Sequence, residues 1–78
     1  MGSRLRLILQ HRYEVFFSCP LPTGGSQAGI DEVVAANRHE ALELAAQSHP
    51  QCALAAFHSA LIPTSRRRGL LADWLQTL

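Results

Sequence analysis

The sequence predicts an α+β domain: a small antiparallel sheet in strand–strand–helix–strand order, packed by one helix and followed by an amphipathic C-terminal helix. Three observations carry this. A stretch around Tyr13–Phe17 alternates with strand-forming residues. Asn37 to Glu40 reads as a helix start ahead of an alanine- and leucine-rich run. Near the C-terminus, Leu70, Leu71, Trp74, Leu75 and Leu78 recur at helical spacing.

The first strand is expected at about 12–18, with Tyr13, Val15 and Phe17 on one face and Glu14 and Phe16 on the other. Residues 1–11, with Arg4-Leu5-Arg6-Leu7-Ile8-Leu9, form an extra strand or an arm. A loop follows over 19–28. Pro20 and Pro22 cannot donate to a ladder, and Gly24-Gly25 frees the backbone for a turn. Gly29 to Ala35, with Ile30, Val33 and Val34, is the second strand of a hairpin with a long connection.

The helix is expected over 38–48. Asn37 is its cap and Glu40 reaches back as in a capping box. Ala41, Leu44, Ala45 and Ser48 share a face with Leu42 on its flank, and His49-Pro50 ends it. Gln51 to Ile62 reads two ways. As a helix it would carry Leu54, Phe57 and Leu61 as a stripe, and its alanines favour that state. As a strand it would complete a sheet that is marginal with only two strands. The strand is the preferred reading, with the helix left open. Residues 64–78 then make the C-terminal helix. Its first turn would hold Arg66, Arg67 and Arg68, where the helix dipole disfavours positive charge. Either the helix begins nearer Gly69 or the arginines serve another purpose.

At 78 residues the chain is one domain, 1–78, near the lower size at which a core sustains itself. It is 47% hydrophobic and 17% charged, which leaves few charges to wet the surface. An exposed apolar patch is therefore expected, covered by a partner or by a second copy as a homodimer. Net charge is +1, which supplies no global field toward nucleic acid or anionic lipid. No run is long enough to span a membrane, and Leu5–Leu9 is too short for a secretory apolar region. The expected setting is cytoplasmic, with Cys19 and Cys52 as reduced thiols.

The strongest binding candidates are Arg66, Arg67 and Arg68, whose guanidiniums suit phosphates or a partner's carboxylates. Trp74 is the candidate interface anchor. The plainer readings are a solvated charge run and a helix packed on its own sheet. His49 and Cys52 are a single weak pair, short of a zinc-binding pattern, so no metal and no cofactor is expected. Cys19 or Cys52 beside His58 would be a nucleophile with a base, but nothing in the sequence marks an activated thiolate. Thr23-Gly24-Gly25-Ser26 lacks the ending of a phosphate loop. Asp31, Glu32, Glu40 and Glu43 form no evident acid–base pair, and no catalytic residue is assigned.

Tyr13-Glu-Val-Phe-Phe, the run Ile30 to Ala46 and His49-Pro50 together resemble small phage and prophage accessory proteins of strand–strand–helix–strand type, over about residues 12–62. Anti-CRISPR inhibitors are among them. The resemblance implies a non-enzymatic protein-binding module that occludes a host defence complex, a larger protein or ribonucleoprotein. It transfers no site residue. The alternative is a nucleic-acid-binding accessory protein using Arg66–Arg68 with Arg4, Arg6 and Arg12, whose affinity would fall steeply with salt.

Overall fold

A computed structural model describes residues 9–78. The expected extra strand or arm falls almost wholly outside them. Strand β1 (His11–Pro20) is central, flanked by β2 (Ser26–Ala35) and β3 (Ala53–His58) in the order β2-β1-β3, all antiparallel. Helix α1 (Arg38–Ser48) joins β2 to β3, and α2 (Arg67–Leu75) ends the chain. The strand reading of 51–62 is thus the observed one, although the strand stops at His58 and a 3-10 turn takes over at Ser59–Leu61. The His58 imidazole caps that turn, its Nδ1 accepting from the Ala60 amide at 3.1 Å.

The hairpin is tighter than its prolines and glycines suggest. β1 runs through Cys19 to Pro20, and β2 begins at Ser26 rather than Gly29. Gly24 N–H donates to the Leu21 carbonyl (3.0 Å), and Leu21 N–H donates to the Gly25 carbonyl (3.1 Å). This is a short turn closed by a glycine bulge, and Gly24, at φ 98°, occupies the left-handed conformation the bulge requires. The Leu21–Gly25 bond also fixes the ladder's phase. Antiparallel pairs alternate between bonded and unbonded, so odd residues of β1 bond to β2 and even ones to β3. Pro20, at an even position beyond the start of β3, gives up no ladder bond.

Side chains of β1 alternate between the two faces. Tyr13 and Val15 join Ala35, Ala41, Ala45 and Ala56 in the core, with Val33, Leu42 and Leu54 packed around them. Ala41 and Ala45 let α1 lie close on the sheet, and Leu44, expected on that face, is instead 39% exposed. Asn37 caps α1 by accepting from Glu40 N–H (2.8 Å). Glu40 reaches one residue further back than a capping box does, to Ala36 N–H (2.7 Å). The opposite face carries Glu14 and Phe16. Phe16 packs on Phe57 (centroids 5.0 Å apart) and on Trp74 of α2 (5.9 Å).

The two thiols, expected reduced, form a disulfide. Their pairing follows from register. Ser18 opposes Ala53, so Cys19 opposes Cys52 one step on, with Cα atoms 4.4 Å apart, as in the closer, unbonded kind of pair.

Candidate functional site

The face under α2 gathers most of the residues singled out in the sequence. A 3-10 turn (Thr64–Arg66) leads directly into α2. The arginines therefore do occupy the helix start, and they divide into two roles. Arg67 turns toward the sheet, where its Nη2 lies 2.7 Å from Glu14 Oε1. Glu14 is nearly inaccessible at 5% exposure, and its other oxygen accepts from Ser59 Oγ at 2.9 Å. The Arg67–Glu14 contact is close but off the hydrogen-bond direction, and Arg67 Nε is buried without a partner. Arg67 thus compensates a buried carboxylate at the unfavourable end of the helix dipole. Arg66 and Arg68 are exposed, and among the described residues neither meets a carboxylate within ion-pair distance.

Trp74 is half-buried against Phe16, beside half-buried Leu70, Leu71 and Leu75. No residue of α2 is fully buried. Elsewhere Leu61, Leu78 and Val34 remain 70%, 63% and 55% exposed. Between α2 and β2 runs an open groove of about 590 Å³. Ala28 and Ile30 line one side, and Thr64, Ser65, Arg68 and Leu71 the other. The groove joins two guanidiniums, exposed Arg68 and the Glu14-bound Arg67, and two hydroxyls to an apolar wall, an arrangement suited to an acidic side chain on an otherwise apolar contact.

Two further clusters were not evident from the sequence. His49 Nε2 lies 2.6 Å from Asp31 Oδ2, and its ring stacks on Phe17 with centroids 4.0 Å apart. The stack and the His49–Asp31 contact tie the end of α1 to β1 and β2, next to the disulfide. The signal available in the sequence was the Gly29 position. A Cβ there would come within 2.8 Å of the Phe17 ring, so glycine is what lets the ring lie across β2. The second cluster is His11 and His58, whose Nδ1 and Nε2 atoms are 3.3 Å apart on the surface near Tyr13. The His58 Nδ1 lone pair is already taken by the Ala60 amide, which makes the pair a poor start for a metal centre. Among the described residues no group of three or more His, Cys, Asp or Glu is placed to hold a metal ion. In this oxidised form Cys19 and Cys52 offer no thiolate to His58.

No described helix is long and apolar enough to cross a membrane. Comparison of the chain with family models, with curated proteins and with solved structures finds no match.

Proposed function

We propose that this chain is a non-enzymatic protein-binding module that acts by covering part of a larger protein, as small phage-encoded inhibitors of host defence complexes do. The observation that carries the reading is the incomplete burial of α2. Four large apolar side chains of one short helix stay only half-covered, and Leu61 before the helix and Leu78 after it in the chain are mostly exposed. An apolar patch of this kind on a small domain marks a contact surface. Trp74 is its anchor, and Arg66 and Arg68 supply a cationic rim. Arg67 contributes indirectly, by fixing the start of α2 on Glu14.

Capture from a candidate host lysate, with and without nuclease, tests the reading. The expected outcome is a protein retained after nuclease treatment and in raised salt, and lost with Trp74→Ala. Retention that depends on nucleic acid and collapses with salt would favour the accessory nucleic-acid reading instead. The compartment belongs to the same experiment. A cytoplasmic setting predicts that protein alkylated in the cells takes up two equivalents of reagent (one per cysteine) without prior reduction, whereas the bridge seen in the structure predicts none.

A further inference from the structure

The two edges of the sheet are not alike. The phase fixed at Leu21–Gly25 makes the even residues of β3 direct their backbone groups outward, and the Ala56 carbonyl does so. Arg38 of α1 covers it, with Nε donating to that carbonyl at 3.0 Å. The β3 edge is also short, at 6 residues, and ends in a 3-10 turn. The β2 edge is 10 residues long. By the same phase, Ser26, Ala28, Ile30, Glu32 and Val34 present N–H and C=O groups away from β1. Among the described residues no hydrogen bond reaches these outward groups. An edge of this length with unspent backbone groups is a template for another strand.

We propose that the strand it receives is β2 of a second copy of this chain, paired antiparallel about a two-fold axis at Ile30. Symmetry restricts the registers, because a two-fold axis normal to the sheet sets one residue against itself. Centring on Asp31 would place two Asp31 side chains face to face, and centring on Glu32 would do the same with Glu32. Like charges directly opposed across strands are unfavourable. Centring on Ile30 avoids both, opposes two isoleucines and keeps residues 26–34 in the ladder.

That register also settles where the acid goes. Glu32 of one copy comes opposite Ala28 of the other, on the α2 face, at the groove rim that holds Arg68, Thr64 and Ser65. Within its own chain Glu32 has only a loose contact, 3.9 Å from Arg12, with both groups more than half exposed. Among the described residues Arg68 meets no carboxylate of its own chain. The two unspent charges therefore meet twice per dimer, once in each groove. This inference shares Arg68 with the partner-binding reading but does not use Trp74 or the outer side of α2, on which that reading chiefly rests.

The test is sedimentation of the full, oxidised chain over a concentration series, with Arg68→Glu, Glu32→Arg and the double exchange. All three changes are on the surface and leave the core untouched. The expected result is a dimer that each single reversal weakens by about tenfold and the double exchange restores. Amide exchange gives the second readout. The Ala28, Ile30 and Glu32 amides should slow as concentration rises, while those of β3 do not. A monomer at every concentration overturns the proposal. So does a dimer indifferent to the charge exchange, or one that leaves the β2 amides fast. In those cases an acidic segment of another protein would be the occupant of the groove, and capture from lysate would still stand as the test of the module itself.

Discussion

Glu14 is the residue on which the α2 face turns. It sits in the middle of the central strand, opposite Glu32 and Phe57, and nearly out of reach of water. A carboxylate there is tolerable only because Ser59 and Arg67 both come to it. The two partners are not equivalent when removed. Without Arg67 the charge stays buried, whereas without Glu14 the arginine, already one-third exposed, can swing to solvent. Arg67→Ala should therefore cost about 2 kcal/mol in urea unfolding and Glu14→Gln about 1 kcal/mol, a value below that for fully buried pairs because of the arginine's exposure. The reverse order would show that the pair is not what holds the helix start. The sequence contained half of this network. Three arginines in the first turn of a helix were a visible anomaly, and the anomaly was real. Its explanation was not visible, because Glu14 and Ser59 are separated by 45 positions and meet only once β1 and β3 are in register.

At the level of elements, legibility follows the range of the interactions. The bounds of helix α1 were readable because its cap and its proline stop are local, whereas Leu44, read as part of its buried face, is exposed. The hairpin was readable in kind but not in extent. Pro20 and residues 26–28 looked like loop, yet Pro20 sits where the ladder asks nothing of it and residues 26–28 carry β2 back to the turn. The disulfide was not readable at all, since two cysteines 33 apart carry no sign of the register that opposes them. Closing a loop of that length restricts the unfolded chain by about 4 kcal/mol on chain-entropy grounds. Reduction, or Cys19→Ser with Cys52→Ser, is thus expected to lower the urea midpoint strongly without changing the native circular dichroism in the absence of denaturant. Equal midpoints for the oxidised and reduced chains would mean that the bridge does not constrain the unfolded state.

For the molecule as a whole, the sheet is finished on one side only. α1 seals the Tyr13–Val15 side with core residues, while α2 rests on the other through Phe16–Trp74 and Glu14–Arg67 and buries none of its own residues completely. Elements held by so few buried contacts open at lower free energy than the rest. The amides of α2 should exchange at least about tenfold faster than those of β1 in dilute solution, measured by hydrogen–deuterium exchange, and should slow when a partner binds. Matching rates would place α2 in the same cooperative unit as the sheet. The contact between Arg38 and the Ala56 carbonyl has an effect well beyond the single bond it makes. A small sheet bare on both flanks could extend chain upon chain into a filament. With one flank stoppered by a guanidinium, it has a single place left to join, so any association by strand addition halts at two.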